Sequence, residues 1–132
     1  MTRAYAWFAG VFLLLQGSST LAFRLVPALD RAFPALLEQT RMVPAHSVLH
    51  IVTALLAFAT LRWGNVFGFA LGFGLFYVAL AVSGWFSGSE LCLGLQPFDH
   101  PFHLLLGGLG LLAVGLDTFK ARRNLSLSRN LQ

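Results

Sequence analysis

Four apolar stretches, each close to the length needed to cross a bilayer, constrain this chain more than any other feature. They run from about Ala4 to Phe23, His46 to Leu61, Val66 to Phe86 and Phe102 to Phe119. A hydrocarbon core of about 30 Å takes roughly 17 to 25 residues of helix, and helix is required there because no water satisfies an irregular backbone. The second stretch is the shortest and spans only if it begins near Val43 or His46, which places two histidines in its first turns. Composition agrees: the 132 residues are 57% hydrophobic and 11% charged, with mean hydropathy +0.73. Such a chain is neither an ordinary water-soluble domain nor a disordered tail, which needs low hydrophobicity and high charge. The expected fold is all-α, a four-transmembrane-helix bundle forming a single membrane domain over residues 1–119, with a basic tail over 120–132.

The net charge of +4 does not point to nucleic acid. Lys120, Arg122, Arg123 and Arg129 follow the last apolar stretch without aromatic interleaving and read as a topology signal. With the N-terminus inside, Arg3, Arg62 and these four face the cytoplasm, while Arg24, Arg31 and Arg41 lie outside; Glu90 and Asp99 occupy an outer loop without Lys or Arg. Both termini are therefore expected on the cytoplasmic side. Trp7, Trp63 and Trp85 fall near span ends, as interfacial anchors do. Arg3 before an apolar run and Thr20-Leu21-Ala22 also resemble a secretory signal, whose removal would leave three spans. With Met1 starting the chain, the first stretch is expected as a retained helix. Cys92 is the only cysteine, so the chain can form neither an internal disulfide nor a thiolate-only metal site.

The segment 24–44 between the first two spans repeats Pro27-Ala28-Leu29 as Pro34-Ala35-Leu36. Proline suits a first helical turn, so two short amphipathic surface helices are expected, turning Leu29, Phe33, Leu36 and Leu37 toward lipid or the bundle mouth. Arg62 to Asn65 is short enough to demand a tight antiparallel hairpin whose two helices pack together. Gly64, Gly68 and Gly72 recur every four residues and Gly107, Gly108 and Gly115 line the fourth span, giving faces that let another backbone approach, within the bundle or in a homo-oligomer. Phe67, Phe69, Phe73, Phe76 and Phe86 are expected in lipid or core packing.

All four histidines fall in two related segments, PAHSVLHIVTALLAFAT from Pro44 and FDHPFHLLLGGLGLLAVG from Phe98. Each opens with a histidine pair and continues as a small and aliphatic helix, so the pairs are expected at similar depth near the outer face, as a parallel repeat. His46 and His50 share a helical face at i, i+4. His100 and His103 are i, i+3, with Pro101 expected to push His100 into the pre-helical turn. His46, His50, Asp99, His100 and His103 are thus candidate transition-metal ligands, and His50 with His103 a candidate haem pair. The competing reading leaves the histidines as structural hydrogen-bonding groups and gives Asp99 to capping. Gln16, Ser18, Ser19 and Thr20 either line the same cavity or bond back to their own helix. Tyr77 and Ser83 carry the same ambiguity, and Asp117 is expected in a local ion pair with Lys120.

The stretch QPFDHPFHLLLGGLGLLAVG from Gln96 to Gly115 resembles a family of small bacterial four-helix membrane proteins classed only as a domain of unknown function. That family shows an Asn-Pro-x-Asp-Asn-x-x-His stretch before a Leu- and Gly-rich last helix, and a histidine-led second helix. Pro97, Asp99, His103, Gly107, Gly110 and Gly115 match; Gln96 and His100 replace asparagines, and Thr53 and Ala54 stand where glycine is usual. The similarity covers roughly Val43 to Leu116 and implies a bacterial cytoplasmic-membrane protein without an assigned activity. Three functional classes remain: a non-catalytic accessory or binding subunit, a metal or haem protein using the outer-face histidines, and a small oligomeric transporter.

Overall fold

In a computed structural model of the chain, residues 1–33, 43–87 and 93–129 are described, and all the regular structure among them is helical. The helices are α1 (Thr2–Leu25), α2 (Pro27–Ala32), α3 (Pro44–Trp63), α4 (Val66–Ser87) and α5 (Asp99–Arg129). Four of them, all but α2, are long and apolar enough to cross a membrane. This is a multi-pass membrane bundle. The 20 residues of α3 give about 30 Å of helix, one hydrocarbon thickness. At 31 residues α5 is about 46 Å long, so the basic segment after Phe119 continues it as helix through Arg129.

Local chemistry sets the helix ends. Pro27 and Pro44 occupy first turns, where a missing N–H breaks no helical bond. The short helix α2 stands where the first of the two was expected, with Leu29 and Phe33 exposed; the second, with Leu36 and Leu37, lies outside the described residues, as do Arg41, Glu90 and Cys92. Gly64 ends α3 in the left-handed region at φ 95°, which only glycine adopts without strain. Asn65 then caps α4, its Oδ1 accepting the Gly68 N–H at 3.2 Å.

The expected close packing across that hairpin does not occur. The helices it joins, α3 and α4, touch only slightly; α1 packs on α3 and α4 on α5. Glycine placement explains the choice. A Cβ on Gly17 would stand 2.7 Å from Ser47 O, and one on Gly10 would meet Phe58 and Ala57, so the α1–α3 seam is backbone-close. Likewise Gly107 lies against Gly74 O and Val78 N of α4. By contrast Gly64, Gly72, Gly108 and Gly115 have nothing within 4 Å, and Gly68 makes room for its own capping Asn65. Among the described residues, no other helix packs on the Gly64/Gly68/Gly72 face.

Between the two tight pairs lies a layer of large side chains. Tyr5, Leu13, Phe73, Tyr77 and Leu106 form its apolar part, all buried. Tyr5 crosses it, its hydroxyl donating to Leu106 O at 2.9 Å over the bare Cα of Gly110. At one end of the bundle Asp117 receives the Met1 ammonium at 2.7 Å and both the N–H and the hydroxyl of Thr2 at 2.9 Å. Asp117 thus pairs with the start of α1 and not with Lys120 as expected, because the first α1 turn offers it three donors at once. The histidines occupy the opposite end.

Candidate metal centre

The two histidine-bearing helices start at the same end of the bundle. His50 lies about 9 Å along α3 from Pro44 and His103 about 6 Å along α5 from Asp99, at the usual helical rise. Their spacing within α3 puts His46 and His50 on one face, and that face looks across the central layer to α5. The ring centroids are 4.6 Å apart for His46 and His50, 5.4 Å for His46 and His103, and 6.1 Å for His50 and His103. One nitrogen from each ring lies within 4.8 Å of the other two. None of the three is more than 2% exposed.

The turn that leads into α5 lies against the start of α3, the helix that carries His46 and His50. Gly94, at φ 56°, brings the segment before α5 against Val43, and Leu95 is buried beside it. Asp99 accepts the Gln96 N–H at 2.7 Å while its own N–H donates to Gln96 O at 2.9 Å, closing the turn that leads into α5. Of the five candidate ligands, the structure brings together His46, His50 and His103. Asp99 is committed to that turn and stands outside the cluster. His100 stands outside it too: it is helical, since Pro101 fits within the first turn of α5, and its ring rests on Gly84 and beside Trp85 at 6.2 Å.

The trio has an unusual deficit. Both ring nitrogens of His46, both of His50 and Nδ1 of His103 are buried without a hydrogen-bond partner among the described residues. Buried polar groups are ordinarily paired, and each one left alone costs about 1–3 kcal/mol. Tyr77 adds to the deficit. It is fully buried, its ring stands at 88° and 4.9 Å to His103 and 6.3 Å from His50, and its hydroxyl meets no hydrogen-bond geometry with any described residue. Sequence reasoning left Tyr77 ambiguous; its position four residues beyond Phe73, against which it stacks at 4.2 Å, places it on the core face of α4.

The polar residues of α1 behave differently from the histidines. Ser19 and Thr20 bond back to Gln16 O at 3.0 and 2.8 Å, and Thr20 also meets Ser47 Oγ of α3 at 2.9 Å. Ser83 donates to Leu80 O in the same backbone-directed manner. Gln16 is the exception: like the histidines, its Oε1 is buried without a partner among the described residues, one helical turn beyond Phe12, whose ring packs on Phe102 of α5 at 5.2 Å.

Three buried imidazoles converging from two helices define a candidate transition-metal site inside a membrane bundle. No family model, curated protein or solved structure matches the chain.

Proposed function

We propose that this protein is a small membrane-resident metal-binding module, which holds a divalent transition-metal ion between α3 and α5 through His46, His50 and His103. The single observation that carries the reading is the convergence of three fully buried imidazoles, five of whose six ring nitrogens lack hydrogen-bond partners among the described residues. In a membrane, groups of this kind are a functional signal by default. The distances suit an ion after a small contraction. Even with all three separations at their 4.8 Å limit the centre lies about 2.8 Å from each nitrogen, so each ring advances by at most about 0.7 Å to reach the 2.0–2.1 Å of a zinc–imidazole bond. Imidazole donors suit zinc, copper, iron and nickel.

Haem is less well supported. A porphyrin between His50 and His103 needs a plane that His46 occupies, 4.6 Å from one ring and 5.4 Å from the other. The transporter reading also loses ground, because all four spans run as unbroken helices, where midplane transport sites use discontinuous ones. A second reading, an accessory subunit of a larger assembly or a homo-oligomer, is favoured by the open faces of Gly64 and Gly72, which no described helix covers. The resemblance to the bacterial domain of unknown function and the cytoplasmic placement of both termini belong to this proposal and are compatible with either reading.

The test is elemental analysis and metal titration of the detergent-purified chain, in wild type and in His50→Ala and His103→Ala. A single tightly held ion per chain, lost in both variants, is expected. Sub-stoichiometric metal that neither substitution changes would overturn the proposal, and a Soret band lost with the same histidines would replace it by haem.

A further inference from the structure

Three imidazoles do not complete the coordination of a first-row divalent ion. Sites with three protein ligands keep a fourth position for water or another small ligand. Beside the trio, Tyr77 shows the complementary lack. Its ring is held by Phe73 at 4.2 Å, by Phe76 at 5.4 Å and by His103 at 4.9 Å, so the hydroxyl has little freedom to seek a partner elsewhere. The hydroxyl stands next to the Thr53 hydroxyl on α3, three residues after His50, in a contact that falls short of hydrogen-bond geometry; Thr53 Oγ1 gives its own proton to Leu49 O at 2.8 Å, and no other described residue pairs with the phenol. Once the imidazoles hold an ion, the phenol still lacks an acceptor and the ion still lacks a ligand. One small anion supplies both.

We infer that Tyr77 marks the place of an exogenous ligand: a hydroxide or similarly small anion, bound at the fourth position of the metal and accepting a hydrogen bond from the Tyr77 hydroxyl. This rests on the metal reading above and deepens it, because an anion bound to the metal among buried side chains would make the site one for chemistry or small-ligand capture and not solely a structural clamp. A bound metal lowers the pKa of a coordinated water toward neutrality, so hydroxide is an available occupant. The buried setting strengthens the bond from Tyr77, since neither partner competes with solvent.

The experiment uses the full chain in detergent, loaded with cobalt(II) as a spectroscopic probe and titrated with azide. Wild type, Tyr77→Phe and Thr53→Val are compared. Azide is expected to shift the ligand-field bands of the wild type. Tyr77→Phe is expected to weaken azide about fivefold, the weight of one hydrogen bond, while cobalt affinity stays within about twofold. Thr53→Val is expected to change neither. Unchanged azide affinity in Tyr77→Phe overturns the inference, as does a cobalt spectrum that ignores azide. Loss of cobalt itself in Tyr77→Phe overturns it in favour of direct ligation by the phenol. Failure of the wild type to bind cobalt, zinc or copper counts against the metal reading itself, an outcome distinct from these.

Discussion

Replacing Gly107 by alanine tests how the bundle is held together and how firmly that hold fixes the site. A Cβ at this position would stand 2.7 Å from Gly74 O and 2.8 Å from Val78 N, both backbone atoms that cannot swing aside. Ordinary contact begins near 3.4 Å, so α4 and α5 must part by about 0.7 Å. Overpacking of this kind costs about 1–3 kcal/mol, and the better helix propensity of alanine returns up to about 1 kcal/mol. Because both contacts are with backbone, the upper part of that cost applies, and the net loss is about 1–2 kcal/mol, a fall in melting temperature of about 3–10 °C for a chain of this size. Gly72→Ala on the same α4 helix is the control, because nothing lies within 4 Å of its would-be Cβ. It is expected to be neutral or slightly stabilising. Both are measured by circular-dichroism melts of detergent-solubilised protein. The reasoning fails if Gly107→Ala melts with the wild type, or if the two variants fall equally. A Gly72→Ala loss that grew with protein concentration would instead reveal a second copy on that face. The perturbation also reaches the site: Gly74 and Val78 flank Tyr77, and Gly107 lies one turn from His103.

Two further substitutions probe the bonds that cross between helices. Tyr5→Phe removes the hydroxyl that reaches Leu106 O at 2.9 Å and is expected to cost about 0.5–1.5 kcal/mol in the same melts; a stabilised variant would show that the bond contributes nothing. Thr20→Val keeps the side-chain shape but deprives buried Ser47 of its 2.9 Å partner, with an expected loss of about 1–2 kcal/mol. No change on that substitution would mean that the bridge from Thr20 to α3 adds nothing to stability.

Element existence was legible because hydropathy in a membrane chain is set by bilayer thickness, which the four stretches match. Element ends were legible where a residue has one dominant use: Pro27 and Pro44 open helices and Gly64 closes one. Helix partnership was not. Chain proximity at Arg62 to Asn65 argued for an α3–α4 pair, but adjacency in sequence only limits where a helix begins, whereas the depth of approach is decided by which glycines face one another. Gly10, Gly17 and Gly74 carry that information, and they are spaced irregularly among residues of similar hydropathy, so no period exposes them. The regular Gly64/Gly68/Gly72 pattern was the more visible and the less used. At the site, shared depth of the histidine pairs followed from two helices entering at one face. Which of the four rings converge depended on rotation of α5 about its axis: His103 turns to the centre, while His100, three residues earlier, turns onto Gly84.

The same architecture explains why the metal proposal concerns more than three side chains. Glycine seams make α1–α3 and α4–α5 into two pairs with little room to adjust, whereas the layer between the pairs is filled by long side chains that can. His46 and His50 belong to one pair and His103 to the other. An ion bound by all three is therefore a tie between the two pairs, placed at the end of the bundle opposite the Asp117 contact with Met1 and Thr2. Ligand that binds only the folded arrangement stabilises it in proportion to its affinity. The small contraction needed for coordination falls on the central layer, because the glycine seams are already at contact and cannot shorten. Tyr77 stands in that layer, against His103 and within reach of α3, so closure of the trio on an ion narrows the space in which its hydroxyl must find an acceptor.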